Sequence, residues 1–266
     1  MNGCKERLDV LLVKKGFFPS REKAKVEIMA GNVYVGDRLV DKPGTMVDTE
    51  SSISVKGKTI PYVSRGGLKL EKALSTFGID VKEKVAIDAG ASTGGFTDCL
   101  LKHGARKVFA VDVGYGQLDY RLRKDPRVMV LERKNARYLK FDDIGELADV
   151  ITADLSFISL SKVFEPFYSL LKDNGDLITL IKPQFEVGKE EVGKKGVVKD
   201  RDLHVKSITN VFSSAGEVNF FVWGLTFSPI TGPKGNIEFL AWFKKRPACS
   251  LPDVEKVVRE AHMELF

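Results

Sequence analysis

Apolar residues recur at helical spacing near the N-terminus in short bursts. Leu8, Leu11 and Leu12 stand at i, i+3, i+4, and Gly16 with Pro19 ends the helix they predict. Ser20 is placed to cap a second helix that carries Ala24 and Ile28 and stops at Gly31. The pattern then alternates. Val33-Tyr34-Val35, a Gly36-Asp37 turn and Leu39-Val40 read as a hairpin, and Ser52 to Val55 reads as a strand after the Pro43-Gly44 turn. These elements make a small ααβ-type module. It is expected to end between Lys56 and Val63, where Gly57 and Pro61 interrupt both periods.

From Arg65 onward the pattern predicts strands and helices in alternation. β-Branched, apolar runs lie at Val85–Ala89, Val108–Val113, Val128–Leu131, Val150–Ala153 and Leu177–Ile181, with helical stretches of about 10–15 residues between most of them. That order implies a parallel sheet covered by helices on both faces. Val218–Phe227 and Ile237–Phe243 break the rhythm, because the segment 228–235 between them is too short for a crossover helix. They are expected to pair as a hairpin, with the final strand antiparallel. Five parallel strands and a hairpin give a seven-stranded α/β domain, closed by a helix with Val254, Val257, Val258 and Ala261 on one face.

Composition narrows the classes. The 266 residues carry 42 Lys and Arg against 36 Asp and Glu, a net charge of +6, and 43% of them are hydrophobic. That is enough apolar material for ordinary cores and too little charge to identify a polyanion partner by itself. No run of about 18 apolar residues predicts a membrane span, and MNGCKERLDV has no apolar stretch of the kind that directs export. Cys4, Cys99 and Cys249 are odd in number and widely spaced, which indicates neither a disulfide framework nor a metal site. A soluble cytoplasmic protein in a reducing compartment is expected.

The segment Asp88-Ala89-Gly90-Ala91-Ser92-Thr93-Gly94-Gly95-Phe96 ends the first strand of the larger domain and opens a helix. Small residues there let a ligand approach the backbone, and the helix start offers N–H groups. Asp112 ends the next strand, where a carboxylate can accept hydrogen bonds from ribose hydroxyls. Three ligand readings are open, beside a tight turn with no ligand. A dinucleotide turn would place glycine at Ser92. A serine-hydrolase elbow is literally spelled by Gly90-Ala91-Ser92-Thr93-Gly94, but it follows the first strand, and only His204 among the three histidines lies where a triad partner might. S-adenosylmethionine suits both the turn and the terminal hairpin.

Ligands bind open α/β sheets at the carboxyl edge of the parallel strands. Asp154 follows the fourth strand and Lys182 the fifth, and Glu238 starts the antiparallel last strand at the same edge. Lys69 lies about 100° off the stripe of Leu70, Ala73, Leu74 and Phe77, so it need not face the core. Two lysines and two carboxylates can therefore meet beside the cofactor. A purely structural salt-bridge cluster is the competing reading.

These segments resemble the TlyA, or haemolysin A, group of ribosomal RNA methyltransferases, which join an S4-type RNA-binding module to a methyltransferase domain of the FtsJ kind. The likeness runs from about Glu6 to Trp242. It is carried by Arg7-Leu8-Asp9, residues 20–24, Val63 to Leu70, Asp88 to Phe96, Ala110 to Leu118, Ile181 to Glu186 and Ser228 to Glu238. The resemblance implies a catalytic Lys-Asp-Lys-Glu tetrad on Lys69, Asp154, Lys182 and Glu238, and methyl transfer from S-adenosylmethionine to a ribose 2′-hydroxyl. The expected architecture is an S4-type domain over residues 1–60 and a Rossmann-like methyltransferase domain over 61–266. Candidate cofactor residues are Asp88, Gly90, Ser92, Thr93, Gly94, Gly95, Phe96, Asp112, Val113 and Asn135, with Asp154.

A ribose hydroxyl is a poor nucleophile, so it needs a neighbour that takes its proton or stabilises its oxyanion. Lys182 is the expected group, oriented by Asp154 and Glu238, with Lys69 positioning the ribose or balancing charge. Candidate RNA contacts are Arg7, Lys14, Lys15, Arg21, Lys25 and Arg65. Glu186–Arg201, with Lys189, Lys194, Lys195, Lys199 and Arg201, is either a lid over RNA or a surface loop with no role. Ribosomal RNA or ribosomal subunits are the expected partners, and neither a metal nor a membrane is. The competing functions are a haemolysin-type membrane-active protein and a non-catalytic RNA-binding protein.

Overall fold

The structure, a computed structural model, describes residues 5–29, 31–55, 60–193, 196–232 and 234–265. Cys4, Gly57, Lys194, Lys195 and the first half of the expected boundary, residues 56–59, lie outside them. The chain folds as two compact units, Met1–Gly67 and Leu68–Phe266.

In the first unit, β1 (Lys5–Arg7), α1 (Leu8–Lys14) and α2 (Arg21–Met29) precede β2 (Val33–Val35), β3 (Arg38–Leu39), β4 (Met46–Asp48) and β5 (Ile53–Val55). Ser20 caps α2 as expected, its Oγ accepting from the Lys23 N–H at 3.2 Å. Gly31 turns the chain out of that helix at φ +73°. Leu8, Leu11, Leu12, Ala24, Ile28 and Val33 form the core of the unit. β2 pairs with both β3 and β5, and β1 pairs antiparallel with β4. That second sheet is an addition to the ααβ reading. Lys5-Glu6-Arg7 carries no apolar residue, so no alternation marks it as a strand.

The second unit opens with α3 (Gly66–Phe77), which starts at the junction between the units. There follow β6 (Val85–Ala89), α4 (Gly95–Lys102), β7 (Lys107–Asp112), α5 (Tyr120–Lys124), β8 (Val128–Glu132), α6 (Phe141–Ile144), β9 (Ala148–Ala153), α7 (Phe164–Leu170) and β10 (Leu171–Ile181). α8 (Arg201–Gly216), β11 (Phe221–Phe227), β12 (Phe239–Lys244) and α9 (Val254–Leu265) complete it. One seven-stranded sheet runs in the order β11-β12-β10-β9-β6-β7-β8. β6 to β10 are parallel, and β12 is antiparallel to both β10 and β11. The fold is the expected Rossmann-like seven-stranded α/β sheet with helices around it.

Several connecting helices are shorter than the expected 10–15 residues. α5 spans 5 residues and is followed by Asp125-Pro126, and α6 spans 4 and ends at Gly145, where φ is +79°. Both stops are chemical, since proline disfavours helix in the residue before it and glycine alone enters the left-handed region cheaply. Ile87, Ile151, Leu177, Phe164, Phe167, Phe239 and Phe243 are all buried in the core of this unit. Their burial fixes the strand ends from which the polar side chains below project.

Candidate active site

Register brings the charged residues to one edge. Ile181, the last residue of β10, lies opposite Phe239, the first of β12, so Lys182 and Glu238 flank the same pair. Asp154 leaves β9 beside β6, its N–H donating to the Ala89 carbonyl at 3.0 Å. Gly90 follows at φ +86°, and a Cβ there would stand 2.5 Å from the Asp154 carbonyl oxygen. Only glycine serves at that position, both for its backbone angle and for the close approach. The turn expected to bind the cofactor is thus pressed against the strand end that carries Asp154.

The four charged side chains meet. Lys182 Nζ lies 2.6 Å from Asp154 Oδ1, Lys69 Nζ lies 3.9 Å from Asp154 Oδ2, and Lys69 Nζ donates to Glu238 Oε2 at 2.5 Å. Lys69, whose place off the apolar stripe did not require it to face the core, is 8% exposed, while Glu238 is 1% exposed. Their pairing accounts for this, because a buried charge requires a close partner. Gly232 leaves room for the Glu238 carboxylate, for a Cβ would meet its Oε1 at 2.5 Å. Burial works to raise the Asp154 carboxyl, but the charges of Lys182 and Lys69 hold it below the ordinary carboxylate range.

Two further side chains that sequence patterning did not mark lie on the turns that follow Asp154 and Lys182. Ser156 Oγ accepts from Lys182 Nζ at 2.9 Å. Glu186, at the end of the turn after Lys182, accepts from the Leu160 N–H at 2.9 Å and from Ser159 Oγ at 2.7 Å. Burial pushes the Glu186 carboxyl up, against both hydrogen bonds. Between them, Phe157 adopts φ +64° and is 92% exposed, its ring 5.3 Å from that of Phe185. A left-handed φ at a bulky residue is uncommon and marks a tightly constrained turn.

The predicted cofactor residues divide by environment. Ser92 is exposed at φ +49°, and its N–H donates to Asp112 Oδ2 at 2.8 Å, while the Gly114 N–H donates to Asp112 Oδ1 at 2.6 Å. Each carboxylate oxygen keeps a further lone pair, so Asp112 can still accept from ribose hydroxyls. Val113 is exposed beside it, Thr93 is half-buried, and exposed Asn135 accepts from the Arg137 N–H through its side chain. This donor and acceptor set fits a nucleoside at the sheet edge. Asp88, Gly94, Gly95 and Phe96 are buried instead. Asp88 accepts from Thr97 Oγ1 at 2.6 Å and Thr152 Oγ1 at 3.3 Å, and burial, aided by the charge of Asp154, pushes its carboxyl up to about 7. These four shape the turn from behind.

His204 is engaged elsewhere than at Ser92. Buried on α8, it bonds to His262 Nε2 at 2.9 Å and to the Val198 carbonyl at 3.1 Å, and burial pushes its pKa down to about 4. A hydrolase triad is not assembled there. Within Glu186–Arg201, the Val198 N–H donates to Asn236 Oδ1 and Asn236 Nδ2 donates to the Gly196 carbonyl, each at 2.9 Å. Among the described residues no group of three His, Cys, Asp or Glu could hold a metal, and no helix is long and apolar enough to cross a membrane.

In the first unit, Arg7 and Arg21 converge on Asp9, which is fully buried. Arg7 donates to it at 3.0 and 3.1 Å and Arg21 at 2.9 Å. Lys14 pairs with Glu6 at 2.5 Å, Lys15 donates to the Ser51 carbonyl at 3.3 Å, Arg65 pairs with Asp41 at 3.2 Å, and Lys25 is half-buried on α2. Most of the predicted RNA contacts therefore also hold the unit together.

Residues 62–245 match the FtsJ-like methyltransferase family, and residues 6–53 match the S4 domain family. The 16S/23S rRNA (cytidine-2′-O)-methyltransferase TlyA of Mycobacterium tuberculosis is 44% identical over 97% of each chain. Hemolysin A of Brachyspira hyodysenteriae is 46% identical over 89% of this chain and 99% of its own. A solved structure from Streptococcus thermophilus, described as a candidate hemolysin, is 45% identical with a TM-score of 0.79, covering 98% of this chain and 96% of the other.

Proposed function

This chain belongs to the FtsJ-like methyltransferase family and groups with the TlyA proteins, and on that premise we propose that it methylates a ribose 2′-hydroxyl of ribosomal RNA in the cytoplasm. The observation that carries the reading is the convergence of Lys69, Asp154, Lys182 and Glu238 at the sheet edge beside the Gly90 turn. S-adenosylmethionine, when bound, supplies an electrophilic methyl group. Asp112, with Val113, Asn135 and the 90–93 turn, holds its nucleoside end, and buried Asp88, Gly94, Gly95 and Phe96 support that turn.

Lys182 Nζ faces the ribose hydroxyl. Lys182 Nζ would take the hydroxyl proton as that oxygen accepts the methyl group. Asp154 and Glu238 fix the two lysines, and Lys69 shares Asp154 so that Lys182 does not hold that carboxylate alone. The exposed ring of Phe157 offers a face on which an unstacked base can rest. The S4 unit supplies phosphate contacts through Arg7, Lys14, Lys15, Arg21, Lys25 and Arg65.

Incubation with labelled S-adenosylmethionine and ribosomal RNA or subunits, followed by alkaline hydrolysis, tests the reading. A methylated 2′-oxygen cannot attack its phosphodiester, so the labelled linkage should resist alkali. Label on a base would overturn the assigned chemistry. Lys182→Ala should lower kcat by about 100-fold or more, the range of a missing general base, and turnover at the wild-type rate would remove Lys182 from its role.

A further inference from the structure

We infer that Ser156 aims the reactive nitrogen of Lys182, and that Glu186 is the positioning residue that holds Ser156 in place. The inference rests on the role of Lys182 proposed above. A lysine nitrogen is tetrahedral: one direction is taken by its own carbon, and three remain. Among the described residues two acceptors lie on it, Asp154 Oδ1 at 2.6 Å and Ser156 Oγ at 2.9 Å. Those two acceptors occupy two of the three directions, and the third is left to face the ribose hydroxyl. With Asp154 alone, the nitrogen could turn about its bond to carbon and that third direction would sweep a cone. Ser156 removes that freedom.

Ser156 sits on an exposed turn, so something must hold it. Its neighbour Phe157 is in the left-handed region, which a phenylalanine does not adopt without restraint. The restraint lies three and four residues on. Both carboxylate oxygens of Glu186 are engaged there, one by the Leu160 N–H and the other by Ser159 Oγ. Glu186 is four residues beyond Lys182 in the same turn, and its N–H donates to the Pro183 carbonyl at 3.0 Å. The turn that carries the acceptor and the turn that carries the lysine are thereby tied to each other twice, once by the lysine's own bond and once through Glu186. A misplacement of about 1 Å at a reacting group can cost on the order of 100-fold in rate, so such a double tie is kinetically useful.

The test is steady-state methylation of in-vitro-transcribed ribosomal RNA by the full chain. Ser156→Ala should lower kcat by roughly 10- to 100-fold while KM for RNA and for S-adenosylmethionine stays at the wild-type value. Ser156→Thr, which keeps the hydroxyl, should restore most of kcat. Glu186→Gln can still accept from the Leu160 N–H and donate to Ser159 Oγ, so it should remain near wild type. Glu186→Ala should fall as Ser156→Ala does, and the double variant should fall little further, because both act through one lysine. A Ser156→Ala enzyme with wild-type kcat, a defect confined to KM, or a threonine variant as slow as alanine would overturn the inference. The proposed role of Lys182 is tested separately: an inactive Lys182→Ala beside a fully active Ser156→Ala overturns only the aiming role, whereas an active Lys182→Ala removes the premise.

Discussion

Asp88 is a buried carboxyl at the base of the Gly90 turn. It is the next-to-last residue of β6, fully buried, with Thr97 and Thr152 as donors and a pKa pushed up to about 7 by burial. A carboxyl whose folded pKa exceeds its unfolded value contributes stability below the unfolded pKa and loses it as pH rises through the folded one. The window therefore runs from about pH 4 to about pH 7, and its depth is at most roughly 4 kcal/mol. Asp88→Asn, which cannot ionise, should gain stability relative to wild type between pH 4 and 8, as read from melting temperatures of the two proteins at each pH. A difference independent of pH would show that Asp88 titrates normally. The same residue marks what sequence could and could not tell. Asp88, Asp154 and Lys182 were legible because each sits at or just beyond the end of an apolar run. Ser156 and Glu186 were not, since a loop serine and a loop glutamate have no period, and their partners become neighbours only when the strands pair.

At the scale of elements, the N-terminal helices are joined by charge as well as by leucine. Asp9 on α1 receives Arg21 from α2 and Arg7 from β1, and all three elements lose that tie together if it is protonated. Burial works to raise this carboxyl, but the hydrogen bonds and charges of the two arginines hold it down at about 2. Here the folded pKa is depressed, so the stability it contributes is present above about pH 4 and lost as pH falls through 2. The half-exposed guanidiniums are screened, which leaves on the order of 1–2 kcal/mol. Asp9→Asn should accordingly speed amide hydrogen exchange in α1 and α2 at pH 7, with the gap to wild type closing toward pH 2. Equal exchange at pH 7 would reduce the trio to surface decoration. The two helices themselves were legible from Leu8, Leu11, Leu12, Ala24 and Ile28, but the β1–β4 pair was not. Its first strand is Lys-Glu-Arg, held by backbone hydrogen bonds that leave no mark in the hydrophobic pattern. Apolar spacing also makes helices look longer than they are, because the stops at Asp125-Pro126 and Gly145 cut short segments whose apolar residues pack against the sheet all the same.

Across the whole molecule, the net charge of +6 is a poor guide to RNA binding, since much of the positive charge is already neutralised within the fold. In the first unit Arg7, Arg21, Lys14 and Arg65 each have a carboxylate partner, whereas Lys15 meets a backbone carbonyl and Lys25 lies along α2. An arginine bonded to Asp9 has less charge to offer a phosphate than a lysine on a carbonyl, so the paired residues should contribute less counterion release than their number suggests. In the second unit Lys69 and Lys182 belong to a formally neutral cluster, and in the proposed function they act on one hydroxyl rather than on the RNA backbone. Affinity and chemistry should then separate by experiment. Replacing Lys15 and Lys25 together with alanine should flatten the dependence of log K on log salt by about 1.4, or about 0.7 for each phosphate no longer neutralised on single-stranded RNA. The same pair should raise KM for RNA more than it lowers kcat, whereas Lys182→Ala should lower kcat and leave the salt slope as it was. A salt slope unchanged in the Lys15 and Lys25 variant would move the RNA-binding surface away from these two lysines, because an interaction that releases no counterions is not one with phosphate.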